Sequence, residues 1–165
     1  MSNSFYITTP IYYVNDIPHI GHAYTTILAD VLSRYQKQVG NKTFFLTGLD
    51  EHGQKVQGAA KDRAIEIQDH CDEMSKRFIS LWETLHISND DFIRTTEIRH
   101  KNVVREILKT VFDAGDIYED EYQGLYSVAE ERFITEKEAD TGQFRDIKTL
   151  KEKNYFFRMS KYQDR

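Results

Sequence analysis

The chain holds a single cysteine, Cys71, among 165 residues. An internal disulfide is therefore excluded, and so is any zinc site built from several thiolates. Basic residues are in deficit, 22 Lys and Arg against 27 Asp and Glu, for a net charge of −5. That balance argues against a general nucleic-acid coat and leaves only a local basic face, so no DNA partner is expected. No apolar run approaches the ~18 residues that span a bilayer. The N-terminus, MSNSFYITTP, has no basic region followed by a long apolar stretch. These absences point to a soluble, cytoplasmic chain with no membrane partner. Repeats and low-complexity segments are lacking too. Proline is scarce as well, and its placement is uneven. There are two, Pro10 and Pro18, and both lie in the stretch PIYYVNDIPHIGH, beside His19 and His22.

What is present describes a folded domain. Hydrophobic residues make up 39% and aromatics 13%, too many for a disordered chain. Phe5–Thr9 is rich in aromatic and β-branched residues and reads as a buried strand ended by Pro10. A polar loop runs to Pro18. From His19, the apolar positions Ile20, Ala23, Tyr24, Ile27, Leu28, Val31, Leu32 and Tyr35 recur at helical spacing, and Gly40-Asn41 stops the helix. Thr43–Thr47 reads as a second strand, followed by the loop Gly48–Gly53. Strand, helix and strand form a βαβ unit of an α/β fold, with a right-handed crossover expected. Ligands in such sheets bind where strands end, so the loops 10–18 and 48–53 should lie side by side.

Downstream, a helix from about Ile65 to Leu85 presents Ile67, Cys71, Met74, Phe78, Leu81, Trp82 and Leu85 on one face. Asp91–Thr96 reads as a third strand. Glu97–Ala114 reads as a helix that buries Val103, Val104, Ile107, Leu108, Val111 and Phe112. A small β-rich module begins near residue 117. The domain boundary is accordingly placed between 1–116 and 117–165.

The helix start at His19 leaves backbone N–H groups unpaired, and its dipole favours anions. His19 and His22 are three apart and share a face. Gly21 between them has no side chain, so a base or ribose can approach the backbone. Pro18 fixes its own φ and pushes Ile17 into an extended conformation. The two prolines thus hold the loop ends, preorganising the histidines to stabilise charge on a transferring phosphoryl group. A capped helix with two surface histidines is the plainer alternative. In the second loop, Asp50 or Glu51 is placed to bind a cation such as a ligand ammonium, or simply to build a solvated turn.

At these residues the sequence resembles a known family. The stretches ITTPIYYVNDIPHIGHAYTTILADVLSRY and FLTGLDEHGQKVQGAA are similar to methionyl-tRNA synthetases, which are class I aminoacyl-tRNA synthetases. The resemblance continues through NDDFIRTTEIRH, YQGLYSVAEERFITEKE and KNYFFRMSKYQ. It implies the N-terminal half of a Rossmann-like parallel sheet, then the start of a β-rich connective insertion. It implies activation of methionine with ATP and Mg²⁺, followed by transfer of the methionyl group to the 3′ end of tRNA(Met). By the family pattern, His19 and His22 contact ATP phosphates and Gly21 packs near the adenosine. Ile11 and Tyr13 line the methionine pocket, and Asp50 holds the α-ammonium. The signature region comprises Tyr12, Tyr13, Val14, Asn15, Asp16, Ile17, Pro18, His19, Ile20, Gly21 and His22.

The chain also departs from that pattern. Many members carry a zinc knuckle in the insertion, but Ser127 and Glu130 stand where its first cysteine pair would be, so no zinc is expected. The second class signature, a Lys-Met-Ser-Lys-Ser loop, is missing; Arg158-Met-Ser-Lys-Tyr162 imitates it in the wrong region and reads as structural. Trp82 reads as core rather than pocket. The anticodon-binding domain and the second half of the sheet are missing, so the chain is expected to be part of a longer protein and inactive alone. A small nucleotidyltransferase with the same His-x-Gly-His device, or a non-catalytic fragment, are the alternatives.

Overall fold

The computed structural model describes residues 3–130 and 132–164. The chain divides into two compact units, with the boundary between Val104 and Arg105. The first unit contains a parallel sheet of β1 (Ser4–Tyr13), β2 (Lys42–Asp50) and β3 (Asp91–Arg94) in the order β1-β2-β3. Helix α1 (Ile20–Gln38) connects β1 to β2, and α2 (Gln54–Asp62) and α3 (Ile67–Thr84) connect β2 to β3. A parallel pair needs such crossovers, so the βαβ reading of the sequence holds.

Several local readings change. First, Pro10 does not end β1, which continues to Tyr13. The pairing with β2 shifts register between Thr8 and Ile11. A proline has no N–H to give the ladder, and a bulge on a strand with one neighbour accommodates it. Second, α2 has no counterpart in the sequence reading. It buries only Val56 and Ala60, too few positions for an apolar period to stand out. Third, the apolar stripe of α1 is not its buried face. Thr26, Ala29, Asp30 and Ser33 are buried, whereas Ile20 is 87% and Tyr24 71% exposed. Thr26 and Asp30 can turn inward because they are paired there. The Thr26 hydroxyl shares a hydrogen bond of 2.9 Å with the Tyr12 hydroxyl. Asp30 Oδ1 accepts from the Ser88 N–H at 2.7 Å and the Ser88 hydroxyl at 2.6 Å.

The core of this unit gathers Tyr12, Val14, Leu49, Val56, Cys71, Met74, Phe78 and Trp82. Burying each large side chain stabilises the fold by roughly 1.5–3 kcal/mol. Most of the expected face of α3 is there, although Ile67 is 45% exposed. Helix α4 (Ile98–Asp113) has no buried residue among those described. Its expected stripe lies open instead, with Val103, Ile107, Leu108 and Phe112 each exposed.

The second unit contains an antiparallel sheet of β4 (Ile117–Ser127), β5 (Arg132–Ile134) and β6 (Ile147–Phe157), ordered β5-β4-β6. A short helix α5 (Glu136–Ala139) follows β5, with Thr135 and Glu138 closing a capping box at its start.

Candidate functional site

The site forms where β1 and β2 end. Side chains alternate along β1: Ile11 and Tyr13 are 43% and 42% exposed, while Tyr12 between them is 7% exposed and belongs to the core. Val14 is buried and begins the loop to α1. Asp16 Oδ1 accepts from the Ile17 N–H at 2.7 Å, which tightens this loop. Pro18 is half-buried, and Ile20 points to solvent.

His19 is the N-cap of α1, with extended backbone. Its Nδ1 accepts from the Gly21 N–H at 3.1 Å, and His22 Nδ1 accepts from the His19 N–H at 3.2 Å. The two imidazoles form a reciprocal capping box, in which the first-turn donors are satisfied by rings rather than by a hydroxyl and a carboxylate. The rings stack with centroids 3.8 Å apart. Because both Nδ1 atoms accept, a neutral ring must carry its proton on Nε2. Among the described residues no hydrogen bond is made by either Nε2, so each keeps a donor for a ligand. His22 also packs against Tyr12 at 4.8 Å and Phe78 at 5.2 Å. Burial there holds its pKa below the usual histidine range, and the charge of His19 lowers it further.

Gly21 is required by this box. A Cβ there would lie 2.9 Å from His19 Cε1 and 3.1 Å from Nδ1. The missing side chain leaves room for the imidazole to fold back onto its own helix.

At the end of β2, neighbouring acids have different fates. Glu51 has no side-chain exposure and pairs with Arg94 Nε at 2.7 Å. It also accepts from the Thr96 hydroxyl, so its charge is committed inside the fold. Asp50 stays half-exposed, and its Oδ1 accepts the His52 N–H at 3.1 Å, its one side-chain hydrogen bond among the described residues. It stands in register opposite Tyr13. Gly48, opposite Ile11, adds no side chain between them. Lys55 places its ammonium 6.0 Å from the centre of the Tyr13 ring.

A cavity of about 420 Å³ is lined by Ile11, Tyr12, Tyr13, Asn15, Asp16, Ile17, His19 and His22. The first loop is thereby brought together as one wall. Asp50 lies on the adjoining strand and outside that lining. Sequence reasoning missed His70, which is buried under the loop and bonded to the Val14 carbonyl. Its signal was its spacing, three residues after Ile67 and four before Met74, on the apolar face of α3. Two residues expected to be structural are so placed. Trp82 is 3% exposed in the core. Lys161 of the Arg158–Tyr162 segment is held by Asp116 at 2.6 Å, with Tyr162 on the same carboxylate, so that lysine serves the fold of the second unit. Where other members of the resembled family would carry the first cysteine pair, the Glu130 N–H donates to the Ser127 hydroxyl at 3.3 Å.

A parallel sheet whose strand ends bring together an imidazole-capped helix start and a half-exposed carboxylate has the layout of the nucleotide-handling α/β folds. Residues 5–142 match the family described as tRNA synthetases class I (M), and the chain belongs to it. Among curated proteins it is 50% identical to the methionine–tRNA ligase of Rickettsia bellii, covering 100% of this chain and 33% of that protein. It is 48% identical to that of Listeria monocytogenes, covering 99% and 27%. Among solved structures it resembles Mycobacterium tuberculosis methionyl-tRNA synthetase in complex with methionyl-adenylate, at 39% identity and a TM-score of 0.90, covering 98% of this chain and 33% of that one. A leucyl enzyme from Agrobacterium radiobacter, 16% identical with a TM-score of 0.82, shares the fold. The chain spans about a third of the length of the relatives it matches. No helix among the described residues is long and apolar enough to cross a membrane.

Proposed function

We propose that this chain supplies the wall of a methionine–tRNA ligase that receives methionine and the phosphates of ATP. The observation that carries the reading is the histidine box at the start of α1, set at the end of the strand that presents Ile11 and Tyr13. In the activation step a methionine carboxylate oxygen bonds to the α-phosphorus of ATP, and the bond to the β-phosphate oxygen breaks to release pyrophosphate. The Nε2–H groups of His19 and His22 donate to the phosphoryl oxygens as their charge rises, and the dipole of α1 adds to this. Gly21 leaves the helix backbone open to the nucleoside. Ile11 and Tyr13 face the methionine side chain, and Asp50 accepts its α-ammonium. Mg²⁺ enters with ATP and neutralises phosphate charge. A hydroxyl at the 3′ end of tRNA(Met) then bonds to the methionyl carbonyl carbon, and the bond to the α-phosphate oxygen breaks to release AMP, in the cytoplasm.

The test is methionine-dependent ATP–pyrophosphate exchange. A full-length chain carrying these residues is expected to catalyse it, and residues 1–165 alone are expected to show essentially none. Robust exchange by the short chain would refute the need for the remaining length. Nucleotide transfer that ignores methionine would refute the substrate and favour a nucleotidyltransferase.

A further inference from the structure

Consecutive residues of α3 each reach the end of a different strand of the parallel sheet. His70 Nε2 lies 2.6 Å from the carbonyl oxygen of Val14, the first residue after β1. Cys71 Sγ lies 3.9 Å from the carbonyl oxygen of Glu51, the first residue after β2. Asp72 pairs with Arg94, the last residue of β3. Only the first of these contacts touches the loop that carries the histidine box. It is also buried, since His70 is 1% and Val14 0% exposed.

The chemistry of the His70 ring is determined by its neighbours. On its other side, Arg63 Nη1 lies 3.0 Å from Nδ1, and Arg63 is itself paired with Glu73. A guanidinium can only donate and a carbonyl can only accept. Nδ1 is therefore the acceptor, and Nε2–H is the donor to Val14. Each bond selects the tautomer that the other needs. A leucine would fill this space without the cost of burying an imidazole, so the ring's distinctive contribution is the hold on one carbonyl.

We propose that His70 is a positioning residue for phosphoryl activation, acting through the Val14 carbonyl. This rests on the function proposed above. The Val14 peptide is the pivot between Tyr13 on the amino-acid side and the loop that ends at His19 on the phosphate side. Without the donor, that buried carbonyl has no hydrogen-bond partner among the described residues, and the peptide turns to seek one. The loop then enters α1 along a different path, and the two Nε2 donors leave the positions that match the transition state.

The experiment compares His70→Leu and His70→Gln in the full-length enzyme, with kcat and KM from exchange, the fraction of active sites from the adenylate burst, and the melting temperature. Leucine removes the donor at similar volume, whereas glutamine replaces it with an amide N–H. His70→Leu is expected to lower kcat per active site about 10–100-fold, with KM for methionine changed less than about threefold. His70→Gln is expected to restore kcat to within about fivefold of wild type at the same melting temperature as His70→Leu. A role in packing alone would lower stability in both variants and leave kcat per active site unchanged, which would overturn the proposal. Should His70→Leu fail to fold, Arg63→Met takes its place: Arg63 is exposed, and loss of its N–H releases the tautomer. Its kcat should fall several-fold, and an unchanged kcat would overturn the proposal equally. A wild-type enzyme without methionine-dependent exchange would instead refute the function on which this rests.

Discussion

Gly21→Ala separates the geometry of the site from the stability of the fold. The new Cβ would stand 2.9 Å from His19 Cε1 and 3.1 Å from His19 Nδ1. The neighbour is a side chain on an exposed N-cap, so the ring rotates away and the helix stays. Gly21 is not among the glycines with positive φ, so alanine fits its backbone. Losing the bond from the Gly21 N–H costs about 0.5–1.5 kcal/mol. Replacing glycine by alanine in a helix returns up to about 1 kcal/mol. The net change in stability is within about 1 kcal/mol, a shift of no more than roughly 4 °C in melting temperature for 165 residues and less for the longer protein assayed. Activity should respond very differently. The displaced His19 leaves the stack with His22, and removing a preorganised donor from a transition state costs about 10²–10³ in rate. The assay is ATP–pyrophosphate exchange in the full-length enzyme beside thermal unfolding of the same preparation. Exchange at the wild-type rate would refute the claim that Gly21 exists to seat His19. A rate loss matched by a large fall in melting temperature would refute the separation itself.

Two further predictions follow from the same geometry. His22 titrates below the usual 6.5 because it is buried against Tyr12 and Phe78, with the charge of His19 adding to this. Between its folded pKa and 6.5 the unfolded chain binds more protons, so stability should rise with pH through that window and be lost as pH falls through it, levelling off once both states are protonated. Urea unfolding across the window should show this slope, and His22→Gln should reduce it; an identical slope in the variant would contradict the assignment. Gly48→Ala should destabilise by at least about 1–3 kcal/mol, because its Cβ would lie 2.1 Å from the Ile93 carbonyl oxygen, a backbone atom that cannot swing aside. An unchanged urea midpoint would show that the two strands can separate there without cost.

The parts of this chain that could be read from sequence are those in which local chemistry and global fold agree. The loop between β1 and α1 was legible because proline, histidine and glycine each constrain their own backbone. The helix positions were legible from their period, but the direction of burial was not. In α1 the stripe of Ile20, Tyr24, Leu28 and Val31 is open, and the buried side is polar or small. Periodicity reports that two faces differ; which one the sheet receives depends on partners such as Ser88 for Asp30, distant in sequence. Pro10 misled for a related reason, since the strand continues through a bulge that only the pairing with β2 reveals. His70 was missed because a histidine at a core spacing gives no sign of which carbonyl it will reach.

Using histidine for both halves of a capping box has a physical rationale. A serine or threonine paired with a glutamate three residues later closes such a box commonly, as Thr135 and Glu138 do at α5 in this chain. That arrangement satisfies the same backbone donors, but it puts a carboxylate at the helix start. There the negative charge would repel the phosphates that the dipole attracts. A neutral imidazole accepts with Nδ1 as the carboxylate does, yet presents an N–H on its other side. His19 and His22 can therefore cap α1 and still present N–H donors on their outer side. Under the function proposed above, the bonds that order the box would not have to break for phosphate to bind, and the donors would already be in place as charge develops on the phosphoryl oxygens.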